Sequence, residues 1–210
     1  MSLINYNGHT FYDNLNKNSL VIDLGGHKGN FSKNILDKYN CNIVIYEPTL
    51  EFIDIIKNKL NSEKITLFNK AVSDKNDTIL FYNFGGSDLH YGEGNSIIKH
   101  KDNYDNSGRF VGAYNIESIN INDVLNNYDN IDLLKVDVEG AEFLIFDEIN
   151  NNNLNKISQI SLEWHLKNTY KYHEDSVVTK ELFEKLHNKI LDSGFKCIKT
   201  SERPDYLYYK

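Results

Sequence analysis

Short runs of β-branched and aromatic residues alternate along this chain with stretches whose apolar positions recur every three or four residues. That alternation predicts strands interleaved with helices. Ser19–Asp23 (SLVID) reads as a buried strand. Asn30–Tyr39 follows as a helix, with Phe31, Ile35 and Tyr39 at four-residue spacing. Asn42–Tyr46 is a second strand. Thr49 is placed to cap a helix whose apolar face carries Phe52, Ile55, Ile56 and Leu60. Ile65–Phe68 is a third strand, and Thr78–Tyr82 an extra one. In the second half the pattern predicts a short helix near 122–128, a buried strand over Ile131–Val138, a helix over Ala141–Ile149 and a strand over Ile157–Glu163. The Asn150–Asn153 run reads as a loop. Ser176 opens the last long helix, with Val178, Leu182, Leu186 and Ile190 on one face and Gly194 as its stop. Phe195–Lys199 and Tyr206–Tyr209, around Arg203-Pro204-Asp205, read as a terminal hairpin.

Strand alternating with helix implies an α/β fold: a Rossmann-like, doubly wound, mostly parallel seven-stranded sheet with helices on both faces. The C-terminal hairpin adds an antiparallel strand at one edge. Two stretches fall outside the alternation. Residues 1–18 form a polar N-terminal segment. Phe84–Gly112 holds six glycines and is too long for an ordinary connection. With Asp88, His90, Tyr91, Ser96, His100 and Arg109 it suits a lid or acceptor-side element, or else a surface loop.

The chain has 210 residues, 40% of them apolar, which fits a single domain over 1–210. Its net charge of −7 and lack of a basic patch argue against nucleic acid or an anionic membrane as partner. No apolar run reaches the roughly 18 residues of a membrane span, and the N-terminus lacks a signal peptide's apolar stretch. Cys41 and Cys197 form neither a disulfide framework nor a metal motif. Two reduced thiols and a cytoplasmic location are the expectation.

In doubly wound sheets ligands bind beyond the carboxyl ends of the strands, so chemistry is sought there. Asp23-Leu-Gly-Gly-His-Lys-Gly29 follows the first strand. It is either a plain strand-to-helix turn or a loop that lets backbone approach a ligand. It matches neither the dinucleotide fingerprint nor the P-loop. Glu47 ends the second strand, where an acid can accept both hydroxyls of a ribose.

These residues carry a resemblance. Val21–Gly29 resembles the first motif of class I methyltransferases, D-x-G-x-x-x-G, and Tyr46-Glu47-Pro48 is similar to the second motif of FkbM-like proteins. Asn69–Lys75 resembles their third segment, Leu134–Glu142 (LKVDVEGAE) is the most family-specific stretch, and Ser161–His165 fits the strand that follows. Gly26 departs from many relatives, which carry Ala there, a change not expected to harm the turn. The resemblance implies an S-adenosylmethionine-dependent methyltransferase. It places Asp23, Gly25 and Gly29 at the methionine end, Glu47 on the ribose, Pro48, Val72 and Ser73 near the adenine, and Asp137 beside the cofactor.

Methyl transfer to an alcohol also needs a base for its proton. Asp137, Glu139, Glu142, Glu163 and His165 fall at or just after strand ends and could converge. Glu163 and His165 share a strand face. His165 has the titration range of a base, or is a histidine satisfied by a loop contact. Glu139 and Glu142 could instead bond backbone at the next helix start, the reading favoured for Glu142. Asp137, Glu163 and His165 could ligate a divalent ion, but no metal is assigned. The expected acceptor is a hydroxyl of a sugar, glycan or small natural product. A nitrogen or carboxylate acceptor, or a nicotinamide-dependent oxidoreductase on a similar sheet, are the alternatives.

Overall fold

The computed structural model describes residues 2–84, 94–99, 110–166, 171–173 and 176–210. The chain opens with an antiparallel hairpin of β1 (Leu3–Tyr6) and β2 (His9–Tyr12). Its turn is Asn7-Gly8, with φ of 53° and 90°. Such positive values are what a two-residue hairpin loop requires. Residues 1–18 are therefore not merely a polar segment. Phe11 is fully buried and packs edge-on against Phe31 and Tyr39.

Next come β3 (Leu20–Leu24), α1 (Asn30–Tyr39), β4 (Asn42–Tyr46), α2 (Leu50–Lys59) and β5 (Ile65–Phe68), as the alternation predicts. The α2 face differs in detail. Ile53 is buried with Phe52 and Ile56, while Ile55 is exposed. Thr49 precedes α2 but its side chain makes no capping bond. β6 (Ala71–Ser73), β7 (Asp77–Phe84) and β8 (Phe110–Asn120) form a separate sheet in the order β6-β8-β7.

α3 (Ile121–Asn126), β9 (Leu133–Val136), α4 (Glu142–Glu148), α5 (Asn151–Asn155) and β10 (Gln159–Glu163) follow. The asparagine run is helical, because the Asn150 side chain caps α5 by accepting from the Asn153 N–H. After β11 (Lys171–His173) and β12 (Ser176–Val177) comes α6 (Lys180–Asp192). Ser176 belongs to β12, and the cap of α6 is Thr179, whose side chain accepts from the Leu182 N–H. β13 (Lys196–Lys199) and β14 (Asp205–Tyr209) close the chain.

The main sheet has seven strands in the order β13-β14-β10-β9-β3-β4-β5. β10, β9, β3, β4 and β5 run parallel, and β14 is antiparallel to both neighbours. The antiparallel strand thus lies one place in from the edge, between β10 and β13. The alternation of side chains splits the core into two layers. Ile22, Leu24 and Val44 pack with α3, α4 and α6 on one face. Val21, Ile43 and Ile45 pack with α1, α2 and Phe11 on the other. Strand order reverses between β3 and β9, so a crevice is expected above that junction.

Candidate active site

The turn after β3 forms the floor of that crevice. Gly25 has a φ of +78°, and a Cβ there would sit 1.9 Å from the Asp137 carbonyl oxygen. Only glycine lets the β3 and β9 ends approach this closely. The N–H groups of Gly25 and Gly26 both donate to the Tyr46 carbonyl, at 3.0 and 3.2 Å, tying the turn to β4. Above it lies a cleft of about 470 Å³, within the range of roughly 300–1,000 Å³ usual for small-ligand sites.

Glu47 stands on the cleft wall at the end of β4, with only 4% of its surface exposed. Its Oε2 accepts from the His27 N–H at 2.6 Å and its Oε1 from the Thr49 N–H at 2.7 Å. Burial pushes its carboxyl up to about 7, against the opposing pull of the Thr49 and His27 bonds. The Asn69 amide donates to the carbonyls of Glu47 and Pro48, at 2.9 and 3.0 Å, fixing this strand end. Pro48 and Val72 line the same side of the cleft. Asn95 joins them, donating to Thr49 Oγ1 at 3.2 Å and accepting from the Phe84 N–H at 2.7 Å.

Toward β9 the wall is charged. Lys135 is buried in the middle of the sheet, 3.1 Å from Asp23 Oδ1 and 3.9 Å from Asp137 Oδ2. Burial opposes its charge, but Asp23 and Asp137 outweigh it and raise its pKa above the usual lysine value. Burial likewise opposes the charge on Asp137, yet Lys135 and His9 hold its carboxyl well below the usual range. His9 Nε2 lies 3.3 Å from Asp137 Oδ2.

Beyond Asp137 the acids converge on one histidine. Glu142 is fully buried at the start of α4; its Oε2 accepts from the Gly140 N–H and its Oε1 from the His165 N–H. The backbone role favoured for Glu142 is therefore present. His165 Nδ1 lies 2.8 Å from Glu142 and its Nε2 lies 3.2 Å from Glu139 and 3.9 Å from Glu163. Burial disfavours the imidazolium, but Glu142 and Glu139 overcome it and raise the His165 pKa well above its ordinary value. Glu163 and Glu139 line the cleft. Burial, reinforced by Asp137, pushes the Glu163 carboxyl up to about 7.

Of the residues singled out in the sequence, Gly25, Glu47, Pro48, Val72, Asp137, Glu139 and Glu163 meet around one cleft. Four others lie behind its lining. Asp23 is fully buried, bonded to Ser32 Oγ at 2.6 Å and paired with Lys135. Gly29, at φ +75°, closes the turn into α1 and packs toward Ile56 and Leu60. Ser73 is buried and shares its hydroxyl with Ser118 and the Lys75 carbonyl. His165 is locked among carboxylates. Ligand atoms of Asp137, Glu163 and His165 lie within 4.8 Å of one another. A cation there would compete with the proton that Glu142 and Glu139 favour on His165, because a metal ligand must be the neutral ring.

Within the predicted acceptor segment, Ser96 is described and buried. Its hydroxyl donates to the Glu139 carbonyl at 2.7 Å, steadying a residue whose φ is 53°. Asp88, His90, Tyr91, His100 and Arg109 lie outside the described residues. Sequence reasoning missed Lys135, His9 and Asn95. Lys135 alone had a signal, a lysine within an otherwise apolar strand, which demands a buried counter-charge.

A glycine turn at the switch point, a buried acid one strand over and an inserted antiparallel strand are the features of an α/β fold of the class I methyltransferase kind. Residues 23–197 match the model of the methyltransferase FkbM domain. The chain belongs to the FkbM methyltransferase family and is an S-adenosylmethionine-dependent methyltransferase. No curated protein matches it. Among solved structures it is similar to precorrin-6y C5,15-methyltransferase from Geobacter metallireducens, with 13% identity, 94% of this chain and 82% of that chain covered, and a TM-score of 0.47. It is also similar to a methyltransferase from Pyrococcus furiosus (12% identity, 93% and 77% covered, TM-score 0.42). M. capricolum TrmK, in complex with S-adenosylhomocysteine, matches with 11% identity, 93% and 62% covered, and a TM-score of 0.44. Among the described residues, no helix is long and apolar enough to cross a membrane.

Proposed function

We propose that the protein methylates a hydroxyl oxygen on a sugar, glycan or small natural product, with Glu163 taking the proton. Glu163 carries this reading. It lies on the cleft wall beside Asp137, with its carboxyl held at about 7 by burial and by that neighbour's charge. A group so poised is partly ionised near neutral pH, the useful range for a general base. His165, the other candidate, is held as an imidazolium between Glu142 and Glu139 and has no lone pair to offer. Its work is to orient those acids around the cleft.

The lining fits the cofactor: the glycine turn after β3 and the end of β4 face one cleft, and Glu47 presents a buried carboxylate to it. When bound, S-adenosylmethionine supplies an activated methyl on a sulfonium. Glu47 receives the ribose diol, while Pro48 and Val72 flank the adenine. Asp137 holds the amino-acid end, and Glu163 accepts the acceptor's proton. The walls position the acceptor and exclude water. Cys41 and Cys197 are free thiols, which suits work in the cytoplasm.

The test is Glu163→Gln assayed against a panel of hydroxyl acceptors. Transfer should fall on the order of 100-fold or more, with affinity for S-adenosylhomocysteine unchanged. The wild-type rate should climb as pH rises through about 7 and then level off, because only the ionised Glu163 accepts a proton. An unchanged rate in Glu163→Gln would move the assignment to a nitrogen or carboxylate acceptor, which needs no such base.

A further inference from the structure

We propose that the N-terminal hairpin is part of the cofactor site, closing its amino-acid end, with His9 holding Asp137 in place to receive an α-ammonium group. The inference rests on the nucleoside cofactor being bound as described above. Sheet order sets the direction of the ligand. Glu47 ends β4, and Pro48 and Val72 line the cleft with it. With its ribose on Glu47, the cofactor would direct its other end past Gly25 at the end of β3 toward Asp137 at the end of β9, both of which line the cleft.

At that point the hairpin supplies the wall, since both Asn7 and His9 line the cleft. His9 Nε2 and Lys135 Nζ both approach Asp137 Oδ2, at 3.3 and 3.9 Å, so neither contact uses Oδ1. A carboxylate steadied on one oxygen keeps the other for a charge-assisted bond, which suits an ammonium. The His9 ring is 6% exposed and stands edge-on to Phe31, 5.7 Å between centroids at 80°. That packing fixes the direction of its N–H.

The hairpin itself is anchored on three sides. Phe11 enters the core. The Tyr12 N–H donates to Gln159 Oε1 at 2.7 Å, and the Asn34 amide donates to Asn7 Oδ1 at 3.1 Å. All of it lies upstream of residues 23–197, which the family model matches. The hairpin is therefore a wall that the matched segment does not supply.

The experiment is calorimetric titration of the full chain with two probes. S-adenosylhomocysteine carries the amino-acid group, and methylthioadenosine lacks it. His9→Ala should weaken S-adenosylhomocysteine about tenfold, the scale of a hydrogen bond to a charged group, and leave methylthioadenosine unchanged. His9→Gln, which keeps an N–H within reach of Asp137, should recover most of the loss. Equal weakening of both probes, or of neither, overturns the hairpin's role while leaving the cofactor reading intact. Wild-type protein that binds neither probe overturns the cofactor reading and this inference with it.

Discussion

Gly26 shows how far a motif can be read and where packing takes over. The resemblance marks it as a position where alanine is tolerated. Here a Cβ at Gly26 would lie 2.4 Å from Ile45 Cγ2, so this chain has filled with an isoleucine methyl the space that alanine would use. Gly26→Ala should therefore destabilise the protein by about 1–3 kcal/mol through overpacking. Ile45→Ala removes the colliding methyl. Urea denaturation of the two single variants and the double variant should show the double losing less than the sum of the singles. Simple additivity would place the strain elsewhere. Lys135 makes the complementary point. Its identity is plain in the sequence, but its pairing with Asp23 and Asp137 is a matter of strand adjacency, which periodicity along one strand does not report.

At the level of elements, the sequence reveals those whose apolar faces are regular. α1, β4 and β5 fall where the pattern places them. β6 and β8 are missed because the first is three residues long and the second alternates weakly, with Val111 turned to solvent. The β1–β2 hairpin is missed for a different reason. Its only apolar anchor that is fully buried is Phe11, in an otherwise polar segment, and the Asn7-Gly8 turn was its one strong local signal. That single anchor has a measurable consequence. Phe11→Ala should cost about 3–5 kcal/mol, as large-to-small changes at buried aromatics do. It should also loosen S-adenosylhomocysteine binding, because His9 rides on the same hairpin. A stability loss below about 1 kcal/mol in urea titration would show that the hairpin is not packed as described.

Over the whole molecule, the topology brings the ends of β3, β4, β9 and β10 to one cleft, and the order of motifs along the chain made that convergence legible. What the sequence could not separate was the lining from its support. Asp23, Gly29, Ser73 and His165 lie behind the wall, held by Lys135 and Ser32, by the α1–α2 contact, by Ser118, and by Glu142 with Glu139. Burial decides between the two roles, and it is set by neighbours distant in sequence.

Glu47 remains the residue on which the account turns, since its carboxylate is assigned to the ribose. Burial holds its carboxyl at about 7 in the free protein, above the ordinary glutamate value. A ribose diol donates to the ionised form, so binding should strengthen as pH rises toward about 7 and level off above it. Calorimetric titration with S-adenosylhomocysteine over a pH series, on wild type and Glu47→Gln, tests this directly. The account predicts one site per chain, wild-type affinity that rises with pH and then plateaus, and a Glu47→Gln variant that binds weakly with no such rise. Affinity that ignores both pH and the substitution, or binding of NADH in place of S-adenosylhomocysteine, would contradict it.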